Sequence, residues 1–148
     1  VTRKKPKRAY LLNFSHPVPE EVAKHYRVIT IPVQLSPEEL ANPTKLQAWA
    51  HELIQDLPDH ADKPGQLRQA LQVGRFAVVL PGLSQAAAAL LAGLHGVSGH
   101  FPRVFAFYRA GDGFELWARP LDLQLTRDYT RQLRDTAAAI AAKRRESR

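Results

Sequence analysis

Cysteine and methionine are both absent from this chain of 148 residues. The first absence removes disulfides, thiolate nucleophiles and every Cys-ligated zinc or iron–sulfur centre, and it fits a reducing cytoplasm, where the protein is expected to work. Long apolar stretches are lacking too. The longest, Ala86–Leu94 with Gly93 inside it, is far too short to span a bilayer. The basic N-terminal residues lead into no apolar segment with a cleavage site, so neither a membrane span nor a signal peptide is expected. The dinucleotide fingerprint GxGxxG and the P-loop GxxxxGK(S/T) do not occur, which removes the main support for an NAD or ATP site. His16, His25, His51, His60, His95 and His100 show neither HxxxH nor HExxH spacing, so no metal and no cofactor is expected. With no GxSxG elbow and no carboxylate pair beside a candidate loop, hydrolase and glycosidase chemistry gain nothing either.

What is present describes one globular domain. Hydrophobic residues make up 45% of the chain and charged residues 24%, an ordinary balance at a length typical of a single domain. The net charge of +7 is unevenly placed: residues 1–8 hold five cations, residues 143–148 a net +3, and residues 9–142 are left at −1. The division is therefore a basic tail at 1–8, a single domain over 9–142 and a second basic tail at 143–148. Such tails attract polyanions weakly and without sequence preference, and equally they are ordinary solvated termini.

Along the body, Ala9–Phe14 reads as a buried strand ended by the turn Ser15-His16-Pro17, and a short helix follows from Pro19 to Tyr26. Arg27–Gln34 is β-branched and strand-like, with Pro32 marking a sheet edge or an early end. Ser36 starts a helical turn. Helices are expected over 44–57, with Thr44 as N-cap, and over 66–73, around a loop at 56–65. Arg75–Leu80 is the clearest strand, and Ser84 is placed to cap the Ala/Leu-rich helix 85–95. Pro102–Tyr108 and Phe114–Ala118 flank the turn Ala110–Gly113 as a hairpin, and a long helix covers 121–143. The alternation predicts an α/β, Rossmann-like fold: a mostly parallel sheet flanked by helices, with an antiparallel hairpin at one end.

Sites in such sheets collect beyond the carboxyl ends of the strands. Two loops qualify: Asn13-Phe14-Ser15-His16 after the first strand, and Pro81-Gly82-Leu83-Ser84-Gln85 after Leu80. Asn, Ser and His crowded into one turn supply donors suited to a phosphate or nucleotide; they also serve as plain turn formers. Gly82 and Ser84 carry the same two readings, as an anion-binding strand–turn–helix or as a positive-φ glycine and a cap.

Three stretches together carry a resemblance: Leu11-Leu-Asn-Phe-Ser-His-Pro17, Leu90–Gly96 running on to Gly99-His-Phe-Pro102, and Phe114-Glu115 with Leu121-Asp-Leu-Gln124 and Arg127-Asp128. Over roughly residues 10–134 the chain resembles the CRISPR-associated Csx family numbered fifteen, an accessory group of type III systems. The resemblance implies a CARF-like fold that binds a cyclic oligoadenylate, the second messenger of type III signalling, most readily cyclic tetra-adenylate. Relatives either cleave the ring without metal or hold it as a sponge, and nothing in this sequence compels cleavage. Carried over by position, Asn13, Ser15 and His16 fall in the family's first loop, and Gly82, Ser84 and Gln85 in the loop before the alanine-rich helix. Phe14, Pro81, Leu83 and His100 complete the expected ligand-binding set, and His16 is the expected catalytic group. A four-phosphate ring of near-twofold symmetry suits a homodimer, with higher assembly on the ligand left open. The other reading is a nucleic-acid-binding accessory module that uses the basic tails.

Overall fold

The computed structural model describes residues 7–148. Its framework is parallel. β1 (Tyr10–Asn13) pairs with β2 (Arg27–Thr30) on one side and with β3 (Phe76–Val79) on the other, and β3 pairs with β4 (Arg103–Phe105). Every residue of β1 and β3 is buried, which is why both segments read as unbroken apolar runs: a central parallel strand is covered on both faces. β5 (Phe107–Ala110) and β6 (Gly113–Leu116) form a separate antiparallel pair, and β7 (Leu121–Asp122) closes the main sheet antiparallel to β4, giving the order β2-β1-β3-β4-β7.

Six α-helices accompany these strands among the described residues: α1 (Glu20–Ala23), α2 (Pro37–Ala41), α3 (Pro43–Asp56), α4 (Pro64–Gln72), α5 (Ser84–Ser98) and α6 (Leu123–Glu146), and a 3₁₀ turn (Leu57–His60) occupies part of the loop expected over 56–65. Because side chains alternate across a strand, the sheet splits its apolar residues between two layers. Leu12, Val78 and Val104 pack with Leu57, Leu67, Leu90 and Leu94 beneath α3, α4 and α5. Leu11, Ala77, Val79 and Phe105 face the other way, toward Val22 of α1, Tyr26, and Phe107 and Trp117 at the hairpin. This is the α/β arrangement expected from the sequence, Rossmann-like in its parallel order and flanking helices.

α3 and α5 approach closely at Gly93, where an added Cβ would collide with Cδ1 of Ile54. That methyl is the movable end of its side chain. Gly93→Ala is therefore expected to change stability by less than about 1 kcal/mol, the contact being offset by helix propensity, whereas Gly93→Leu overpacks the contact and is expected to cost about 1–3 kcal/mol. Thermal unfolding of both variants checks this; a Gly93→Leu midpoint equal to that of the parent chain would contradict the close packing.

The local expectations needed five corrections. Asn42, not Thr44, caps α3, its Oδ1 accepting from the Thr44 and Lys45 N–H groups at 3.0 and 3.2 Å; Pro43 takes the first helical position, which its fixed φ favours. Ser84 does not cap α5. The helix starts on that residue, Leu83 holds the cap position without a side-chain bond, and the Ser84 hydroxyl donates to Gln85 Oε1 at 3.3 Å. Gly82 is not at positive φ; Gly74, Gly99 and Gly111 are, the last as the first central residue of a two-residue hairpin turn. The strand expected over 102–108 breaks at Ala106, so the hairpin leaves the main sheet, and β7 takes the place beside β4. Finally, α6 runs through residues 143–146 without interruption, so the C-terminal basic segment is mostly helix; residues 1–6 of the other basic segment lie outside the described residues.

Candidate functional site

The chain leaves β1 toward β2 on one side and later crosses back to enter β3 on the other. The boundary between β1 and β3 is therefore the topological switch point, where the connections diverge and where open α/β sheets of this kind bind ligands beyond the carboxyl ends of their strands. Asn13 stands opposite Val79 in register, and Phe14 N–H donates to the Val79 carbonyl at 3.1 Å. The turns that follow, Ser15–Pro17 and Leu80–Leu83, thus leave the sheet from neighbouring strands at the same edge.

Asn13 builds the first turn. It is completely buried, and its amide is fully engaged: Nδ2 donates to the His16 carbonyl at 2.9 Å and to Thr30 Oγ1 at 3.4 Å, while Oδ1 accepts from Ser15 N–H at 3.0 Å. This is an Asx turn, so Asn13 positions the loop and leaves no polar atom for a ligand. Phe14 is buried in the helical layer of the core and Pro81 is buried as well, so neither is exposed at this edge. What the two turns expose is Ser15 in part, then His16, Gly82, Leu83, Ser84 and Gln85. Neither turn carries a carboxylate. His100 does not join them. It follows α5 and lies against Gly74 just before β3, at the amino-terminal rim of the sheet.

The hairpin supplies what the sequence reading missed. The His16 ring sits 5.8 Å from Phe114, nearly parallel, and 5.3 Å from Phe107, edge to face. Phe114 is 62% exposed, so an aromatic platform lies beside the first turn, able to stack a base. On the same hairpin the Tyr108 hydroxyl donates to Glu115 Oε2 at 2.9 Å. That bond first, and the carboxylate's charge second, raise the phenol above its ordinary value. Aromatics on both sides of the Gly-Asp-Gly turn were the available signal. Thr30, which steadies Asn13 from the end of β2, gave none.

Comparison of the chain with protein-family models, with curated proteins and with solved structures finds no match. Among the described residues no cluster of three metal-ligating side chains occurs, and no helix is long and apolar enough to cross a membrane. An apolar groove of about 900 Å³ lies between α3, α4 and α5, lined by Ala50, Ile54, Leu71, Ala89 and Gly93. Neither turn contributes to it.

Proposed function

We propose that the crevice between the β1 and β3 turns binds a cyclic oligoadenylate, cyclic tetra-adenylate in the first instance, and lowers its free concentration by holding it, by opening it, or both. The observation that carries this reading is the switch-point geometry: two carboxylate-free, donor-bearing turns at adjacent strand ends, with exposed Ser84 and Gln85 on one and His16 against Phe114 on the other. Phosphates suit the hydroxyl, amide and uncapped helical N–H donors, and adenines suit the aromatic platform. The likeness to the Csx family numbered fifteen points to the same ligand class. A near-twofold ring matches two copies of the site, and Leu125, Tyr129, Leu133 and Ile140, exposed along α6, supply a surface on which a second copy can dock.

Ring opening needs only the ligand's own nucleophile. A ribose 2′-oxygen attacks the adjacent phosphorus, its proton passes to a base, the bond to the 5′-oxygen breaks and that oxygen takes up a proton, leaving a 2′,3′-cyclic phosphate. Holding the 2′-oxygen in line with the leaving group is the larger part of such catalysis; His16 is the residue at this edge suited to move the proton.

Calorimetry with cyclic tetra-adenylate at low salt is expected to show saturable binding, and labelled ring incubated in EDTA separates holding from cleavage. Intact ring after long incubation means a sponge and removes the role given to His16. Linear product that disappears in His16→Ala, with binding retained, assigns the proton transfer to His16. No binding of any cyclic oligoadenylate ends the reading.

A further inference from the structure

The opposite rim of the sheet carries cations that the crevice does not use. Lys7 and Arg8 precede β1, Arg27 opens β2, Arg75 precedes β3, and Lys63 stands at the start of α4. These residues line two adjoining cavities of about 430 and 370 Å³, which share Lys7, Arg8, Arg27 and Gln66. No carboxylate lines either cavity, and residues 1–6 contain none. None of the ion pairs among the described residues involves these cations. The cluster stands out because residues 9–142 as a whole are close to neutral.

Three further features give the cleft the character of a site. Arg27 is held by neutral groups: it donates to Gln66 Oε1 at 2.8 Å, and its guanidinium lies 4.4 Å from the centre of the Tyr10 ring. Its orientation is fixed while its charge stays uncompensated. Tyr10 lines the second cavity and is 4% exposed, yet its hydroxyl is the one buried side-chain polar atom among the described residues left without a hydrogen-bond partner, a state that is rare and costly. Last, α4 begins at this cleft with no side-chain cap and no acid in its first turn, so its positive end adds to the field.

From this convergence we propose that the amino-terminal rim is a phosphate-binding cleft, built by Arg27, Arg75, Lys7, Arg8 and Lys63 around Tyr10. It is independent of the crevice at the carboxyl edge. The ligand chemistry is a phosphate group, either free or on a mononucleotide, or the phosphodiester backbone of a nucleic-acid strand; two adjoining cavities leave room for more than one phosphate.

The test uses the full chain and three probes: inorganic phosphate, AMP and a short labelled oligodeoxythymidine. Binding of at least one probe is expected to weaken with salt and to fall about tenfold or more in Arg27→Gln/Arg75→Gln. For the strand, the slope of log K against log salt is expected to drop by about 1.4, two contacts at about 0.7 each. Arg75→Glu, at an exposed side chain, repeats the test without touching the packing on Tyr10. A strand bound in the presence of excess phosphate or AMP identifies a polynucleotide source; competition by AMP identifies a mononucleotide. Cyclic tetra-adenylate binding by the same variants is expected to be unchanged, so the outcome here is separable from that of the crevice. The proposal is overturned if no probe binds at low salt, or if Arg131→Gln/Arg134→Gln on α6 weakens binding as much as the cleft variants do.

Discussion

Asn13→Ala is expected to destabilise the protein by about 2–4 kcal/mol and to weaken the proposed ring binding about tenfold or more, although the amide itself is spent on bonds within the protein. The reason is a local count of hydrogen bonds. Removing the amide leaves the Ser15 N–H and the His16 carbonyl without the partners seen at 3.0 and 2.9 Å. In a site where the parent side chain is fully buried, each unpaired backbone group costs about 1–3 kcal/mol, less whatever water entering the turn restores. The turn that presents Ser15 and His16 then loses its fixed shape, and binding falls because the donors must be ordered anew for each ligand. Thr30→Val is the comparator. Its bond to Asn13 is longer, at 3.4 Å, and Thr30 is exposed, so the expected cost is under about 0.5 kcal/mol. Urea unfolding checks both: a shift of the midpoint with unchanged slope is a change in stability. An Asn13→Ala midpoint within error of the parent would mean that the turn holds without its Asx bonds.

The sequence disclosed the strands but not their neighbours. Tyr10–Phe14 and Phe76–Leu80 are legible because doubly covered parallel strands leave no polar alternation to confuse them. That Asn13 lands opposite Val79 rests on β2 and β3 taking opposite sides of β1, a choice made by the packing of helices and not written in either segment. The same distance effect hid the contact of His16 with Phe114. His100 failed for a geometric reason. A helix entered at the carboxyl edge must run back to the amino edge before the next parallel strand can begin, and the 15 residues of α5 cover about 22 Å on that return. A residue just after α5 is therefore carried away from the turn just before it, however close the two stand in a motif. Caps were misplaced by one or two residues, as at Asn42, because several Ser, Thr and Asn side chains compete for each helix start.

Leu133→Glu is expected to convert the proposed dimer into a monomer at micromolar protein, the second large effect. α6 is 24 residues long and none of them is buried, although its composition is amphipathic. Leu125, Tyr129, Leu133 and Ile140, between 48% and 70% exposed, recur at near-helical spacing and form one stripe. Leu123, which packs against the core, and Arg127 and Arg134, which line a shallow cavity with Phe101, lie on the opposite face, so the stripe points away from the body. A helix of this length draws most of its stability from a partner for its apolar face. An isologous pair is the economical one, since a twofold presents the same stripe to itself. Antiparallel pairing with the axis between Gln132 and Leu133 sets Leu125 of one copy against Ile140 of the other, and Tyr129 against Thr136. Stable pairs bury about 800 Å² per partner, which favours contact along the whole helix over a single crossing. Leu133 lies next to the axis, so Leu133→Glu places two carboxylates face to face and removes two apolar anchors at once. Arg134→Glu changes charge on the body-facing side and is expected to leave the dimer intact. Sedimentation velocity distinguishes these outcomes, and far-UV circular dichroism adds a second reading, because an α6 deprived of its partner frays and helical signal falls. A parent chain that sediments as a monomer would leave the stripe uncovered and remove the twofold from the account of ring binding; a dimer that survives Leu133→Glu would place the interface elsewhere.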